Sequence, residues 1–189
     1  MSTLRRMFLV VVIMQIASAL SFRCALAADE GSSEEKIGIY DSRAVAVAFC
    51  GSATHTKQIT ELDAEYERAL KAGDTEKVER IKSERQGSQT RMHLQGFSTA
   101  PVDDILATIE KPMEKIKTAN GLSEIVSKWD KEKLKKYRNA KQLDITMDLV
   151  RAFAPNERQM KSAVEIQKVK PCPMPTESGK ALDAQSEHR

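Results

Sequence analysis

Between His55 and Ala72, apolar residues recur every three or four positions. Ile59, Leu62, Tyr66 and Ala69 (or Leu70) are separated by Glu, Asp, Lys and Arg. That spacing predicts a helix with a narrow apolar seam on an otherwise solvated cylinder, as in a coiled-coil arm. Gly73 can end this helix, and Asp74 or Thr75 can cap the next. From Thr75 to about Gln95 the pattern stays helical but very polar, with Val78, Ile81 and Met92 as sparse apolar contacts. Gly96–Pro101 interrupts it. Val102, Ile105 or Leu106, Ile109, Met113 and Ile116 then form the strongest seam in the chain, and Pro112 inside it predicts a kink. The spacing reads as a helical hairpin with its tip at Gly73, an outgoing arm over 42–72 and a returning arm over 75–119. A reversal at Gly96–Pro101 is the alternative, and seam lengths do not decide between them.

Shorter elements flank this region. Lys36–Asp41 alternates apolar residues at 37 and 39 and carries Tyr40, which predicts a strand ending at Asp41, itself a good N-cap. Ser42–Phe49 reads as a small-residue helix, weakened or kinked at Gly51-Ser52. After Asn120-Gly121, Leu122–Trp129 predicts a second strand, and Lys133–Arg138 a weaker third around Leu134 and Tyr137. Asp144 is placed to cap a helix with Ile145, Leu149, Val150 and Phe153 on one face, and a further helix is expected over 157–169. From Pro171 the composition predicts a disordered tail over 171–189. The expected fold class is α+β and mostly helical: a long helical hairpin on a small β body, with C-terminal helices, all within one domain over 36–170.

The first 27 residues change how the rest is read. Arg5 and Arg6 precede an almost unbroken apolar run from Met7 to Leu20, and Ala25-Leu26-Ala27 presents small residues for a signal peptidase. Fourteen helical residues span only about 21 Å, against roughly 30 Å of hydrocarbon, so a cleaved signal peptide is expected rather than a permanent span. A polar leader over 28–35 follows. Phe22 and Arg23 before Cys24 do not suit a lipoprotein cleavage site. The full chain carries 30 basic and 27 acidic residues. Arg5, Arg6 and Arg23 leave with the signal, so the remainder is formally neutral and its charge gives no nucleic-acid footprint. Abundant charge with few aromatics suits long amphipathic helices.

Two cysteines survive processing, Cys50 and Cys172. In an oxidising compartment they could pair, which in the chain-entropy picture stabilises by about 4 to 5 kcal/mol; one buried thiol and one tail thiol is the other reading. His55, His93 and His188 share no metal-ligand spacing with one another or with the cysteines. The chain carries no Cys-x-x-Cys, Gly-x-Ser-x-Gly, Walker or dinucleotide motif. Ser88 and its nearest candidate base, His93, lie about 140° apart around a helix and are not expected to meet. Trp129 is expected to pack a small sheet against the helices. No catalytic residue, cofactor or metal is therefore assigned.

The order of these elements resembles the Skp (OmpH-like) family of periplasmic chaperones over about 36–153. The residues that carry the resemblance are Lys36-Ile37-Gly38-Ile39-Tyr40-Asp41 after the signal, Leu122–Trp129 after Asn120-Gly121, and Asp144-Ile145-Thr146-Met147-Asp148-Leu149-Val150. The resemblance implies a subunit of a trimer whose strands share a body and whose arms enclose unfolded outer-membrane proteins, without ATP or a catalytic residue. It implies a periplasmic, non-enzymatic holdase; the alternative is an envelope adaptor that uses the hairpin for docking, and a third is a small secreted enzyme with a site assembled in space. The chain departs from the family in its breaks at Gly96–Pro101 and Pro112, in the mixed charge at Lys71, Asp74, Glu76 and Lys77, and in the extra helix over 157–169.

Overall fold

The computed structural model describes residues 34–175, and every element in it belongs to the unit that begins at Glu35. The expected signal peptide, and the tail beyond residue 175, lie outside the described residues. About 66% of the described residues are helical, and three short strands form one parallel sheet in the order β2-β1-β3, with β1 over Lys36–Tyr40, β2 over Glu124–Ser127 and β3 over Lys141–Asp144. The protein is thus a mostly helical α+β structure. Among the described residues, no helix is long and apolar enough to cross a membrane.

The central strand is β1 (Lys36–Tyr40). It ends where expected, because the Asp41 carboxylate accepts a hydrogen bond from the Arg43 backbone N–H and caps α1 (Ser42–Cys50). Small residues let α1 run through the middle of the fold. Ala44, Val45, Ala46, Ala48 and Phe49 are all buried, against the helices over Thr75–Phe97, Thr146–Arg151 and Glu157–Lys168. Gly51 and Ser52 separate it from α2 (Ala53–Ala72), whose N-cap is Ser52. Gly73, at φ 70°, takes the left-handed conformation that closes α2, and Asp74 caps α3 (Thr75–Phe97). These two helices fold back on each other at Gly73, with Lys77 paired to Glu65 at 2.9 Å and Arg85 paired to Asp63.

The Gly96–Pro101 interruption ends α3 at Phe97. The Gln95 side chain, nearly fully buried, holds the break by donating to the Pro101 carbonyl (2.9 Å) and the Asp104 carboxylate (2.7 Å). α4 (Asp103–Leu106), a single 3-10 turn (Ala107–Ile109) and α5 (Glu110–Asn120) follow. Pro112 does not kink a continuous helix. It sits in the first turn of α5, where its missing N–H has no intrahelical partner to lose, and the irregularity falls before it.

β2 (Glu124–Ser127) is shorter than the expected Leu122–Trp129 strand. The expected third strand at Lys133–Arg138 is instead a helix, α6 (Lys131–Lys136), capped by the Asp130 side chain. Its run of Lys and Glu around one Leu has no apolar alternation and favours helix once a cap is present. The third strand is β3 (Lys141–Asp144), which pairs with β1. Asp144 is its last residue and accepts from the Thr146 N–H at the start of α7 (Thr146–Arg151). α8 (Glu157–Lys168) begins with a capping box between Asn156 and Gln159. The start of the tail is held: Cys172 N–H donates to the Phe97 carbonyl and its carbonyl accepts from Ser98 Oγ, both at 2.8 Å.

Seven of the eight apolar seam positions divide between two clusters, and Ile59 belongs to neither. Leu62 and Tyr66 pack on Ala69, Val78 and Ile81, within the α2–α3 pair. Val102, Ile105 and Ile109, with Met113 and Ile116 against them, join the main core around α1, Ile145, Leu149 and Val150. The second half of the expected returning arm is therefore body, because its seam is wide enough to be covered by several elements rather than one.

Candidate functional site

Two features outside the main core concentrate chemistry. The first is a groove of about 350 Å³ between α2 and α3, near their junction with α1. Ile59, Leu62 and Met92 give it an apolar lining, with Cys50 and His55 at one end and Gln89 and His93 along α3. Ile59, expected inside the seam, is 47% exposed, because the polar face of α3 opposite it offers no apolar partner of matching length. His55 is fixed by a tilted ring contact with Phe49 (centroids 5.1 Å apart) and by Nδ1 at 2.8 Å from the Cys50 carbonyl. His93 meets Phe97 edge-on at 5.9 Å. Arg85, paired with Asp63, lies 4.5 Å over the Tyr66 ring and closes the side of the groove. Ser88 and His93 border this same groove despite their separation around α3, because the groove is open and broad. Cys50 and Cys172 are free and exposed. No group of three or more His, Cys, Asp or Glu among the described residues could hold a metal ion.

The second feature lies where the three parallel strands end, the edge at which sheets of this kind place polar clusters. There the Asp41 carboxylate takes five donors. They are the Arg43 backbone N–H (3.0 Å), Nε (3.1 Å) and Nη2 (2.8 Å), Trp129 Nε1 (3.2 Å) and Lys128 Nζ (2.7 Å). Burial raises the Asp41 pKa, but the hydrogen bonds and charges of Arg43 and Lys128 outweigh it, and the net result is a carboxyl held below its ordinary range. Arg43 also donates to the Val169 carbonyl at 2.7 Å, tying the end of α8 to the start of α1. Both cations lie over the Trp129 ring, Arg43 at 5.0 Å and Lys128 at 4.7 Å from its centroid. Trp129 thus braces a charge cluster.

Sequence reasoning missed this cluster and the imidazole-lined end of the groove. A signal for the first existed: Arg43 is the one charged residue in the otherwise small and apolar Ser42–Cys50 segment, directly after a capping Asp. The groove had none, since its walls come from α1, α2 and α3 at positions whose spacing relates only to their own helix. Compared with known proteins, the chain matches no family model, no curated protein and no solved structure.

Proposed function

We propose that this chain is an exported, non-enzymatic chaperone-like protein of the periplasm that holds unfolded envelope or outer-membrane polypeptides. The observation that carries the reading is the open apolar groove of the α2–α3 pair, where Ile59 is exposed and half-buried Leu62 and Met92 line the wall beside charged helix faces. Such a surface can shield short apolar segments of a client while the surrounding charges keep the complex soluble. On this reading the α2–α3 pair is an arm of the kind the Skp-like pattern implies. The exposed β3 supports self-assembly into a trimer: all four of its residues are exposed, Leu143 by 40%, so one edge of the sheet is open to a second copy.

A single-partner adaptor is the second reading. It is favoured by the pairing of charges along the arm, where Lys77 and Arg80 share Glu65 and Arg85 takes Asp63, leaving little net charge to attract a varied set of clients. Refolding of an unfolded β-barrel protein by dilution, with and without the chain, separates the two. Suppressed aggregation that is lost in Ile59→Asp supports the holdase. No suppression, together with a monomer in light scattering at micromolar concentration, removes it and leaves the adaptor.

A further inference from the structure

The segment from Lys131 to Lys141, which runs through α6 and the turn after it into β3, carries six cations and one acid. Two of the cations are answered locally, Lys133 by Asp130 and Lys135 by Glu132. Lys136, Arg138 and Lys141 are exposed and have no acidic partner among the described residues. The sheet adds a fourth cation. Lys36 opens β1 beside Lys141, its register partner at the start of β3, and it too is exposed without an acidic partner among the described residues. Like charges side by side across a ladder oppose strand pairing, yet both strands begin here. The Glu35 carboxylate does not relieve them, because it is engaged on the β2 side, where it accepts from Ser123 Oγ at 2.9 Å. This edge of the sheet is a concentration of positive charge without its counter-charge, in a chain of 30 basic and 27 acidic residues.

The counter-charge that fits is the segment immediately upstream. From Ala28 to Glu34 the chain carries Asp29, Glu30 and Glu34 and no cation. That segment joins the fold at the basic edge itself. Lys141 N–H donates to the Glu35 carbonyl at 2.7 Å, so the chain enters β1 alongside the first residue of β3. Seven extended residues span at most about 25 Å, and the stretch from Lys136 to Lys141 at most about 18 Å, so Asp29 and Glu30 are within reach of Lys136 and Arg138. Gly31, Ser32 and Ser33 between the acids are residues that turns accept readily. We propose that residues 28–34 lie as an acidic strap across the edge where β1 and β3 begin, with Glu34 beside Lys36 and Lys141, and Asp29 and Glu30 on Lys136 and Arg138. The strap neutralises this face and keeps it from collecting unrelated polyanions. The inference is independent of the client-binding reading, since none of these residues borders the α2–α3 groove.

The purified chain is acetylated with limiting reagent at low ionic strength, and the rate at each lysine is read by peptide mass. Lys136 and Lys141 are expected to react at least threefold more slowly than Lys71 and Lys111, which are likewise exposed without an acidic partner among the described residues. Asp29→Asn/Glu30→Gln/Glu34→Gln should bring the four rates together, as should salt of about 1 M, where the Debye length falls to about 3 Å. The substituted positions precede the unit that begins at Glu35, so this variant is expected to keep the wild-type unfolding midpoint, which separates a lost strap from a lost fold. Carbodiimide then couples carboxylates to the amines they touch. Cross-links from Asp29 or Glu30 to Lys136 or Lys141 within a single chain assign the strap. Cross-links found only between two chains give the face to the leader of a second copy and overturn it. Equal rates at the four lysines in the wild type, or protection that survives in the variant, also overturn it, and the cations then serve only to guard an open sheet edge.

Discussion

Asp41 and Arg43 form an ion pair withdrawn from solvent, with Arg43 Nη2 2.8 Å from Asp41 Oδ2 and neither side chain exposed by more than 1%. The pair joins three distant parts of the chain, because Asp41 also holds Trp129 and Lys128 and Arg43 holds the Val169 carbonyl. A buried pair of this kind adds little over an apolar replacement of both partners, but removing one partner strands a charge. Arg43→Ala is therefore expected to destabilise by about 3 to 5 kcal/mol. Arg43→Met with Asp41→Asn, which removes both charges and keeps an N-cap acceptor, should cost clearly less. Urea unfolding of the three chains checks this, and equal losses in the single and double variants would show that the charge is not the cause.

The same carboxylate sets an acid dependence with a defined sign. Asp41 is held below the ordinary carboxylate range in the folded chain, so its contribution is fully present above the unfolded value of about 3.9. It declines as pH falls below that value and is gone once pH passes the depressed folded value, where both states are protonated. Asp41→Asn lacks this linkage. The stability gap between wild type and Asp41→Asn should stay constant from neutral pH down to about 5 and narrow only below about 4. A gap that narrowed between pH 7 and 5 would assign the linkage to another group.

Gly38 shows how closely the sheet is covered. A Cβ at this position would stand 2.6 Å from Ile145 Cδ1 and 2.8 Å from Leu122 Cδ1, both side chains of buried core residues. Gly38→Ala is expected to destabilise by about 1 to 3 kcal/mol through overpacking. Ile145→Val removes the nearer methyl, so the double variant should recover part of that loss. Additive losses in a double-mutant cycle would place the cost of Gly38→Ala in the strand backbone instead.

The order of elements was readable from the chain wherever a local rule decided it. Asp41 as cap, the break at Gly51-Ser52 and the helix end at Gly73 each follow from one or two residues whose backbone preferences are strong. The third strand was not readable. Lys141–Asp144 carries a single apolar residue and is exposed throughout, so it exists because β1 offers it a ladder rather than through any pattern of its own. Leu134 and Tyr137 drew the expectation to the wrong segment, where the Asp130 cap made a helix. The candidate sites were the least legible, because each is assembled from elements far apart in sequence. Asp41 meets Lys128 and Trp129 only through the crossover that returns the chain beside β1.

The helix pair is held by much less than the body, and that difference should be measurable. Only Ala69, Val78 and Ile81 are buried between α2 and α3, with Leu62 and Tyr66 half-buried around them. The ion pairs beside them are partly solvated, and such pairs contribute about 0 to 1 kcal/mol each. The body cluster, by contrast, runs unbroken from Tyr40 through α1 to Ala163. Opening of the pair from its Gly73 end is therefore expected below the free energy of global unfolding. Amides of 64–85 should exchange with deuterium well before those of 43–49. Ile81→Ala, with a local cost of about 2 to 4 kcal/mol, should speed exchange in the pair by at least tenfold while moving the unfolding midpoint of the body little. If Ile81→Ala instead lowers protection evenly in both regions, the pair and the body unfold as one unit, and the groove they frame is a rigid feature of the fold.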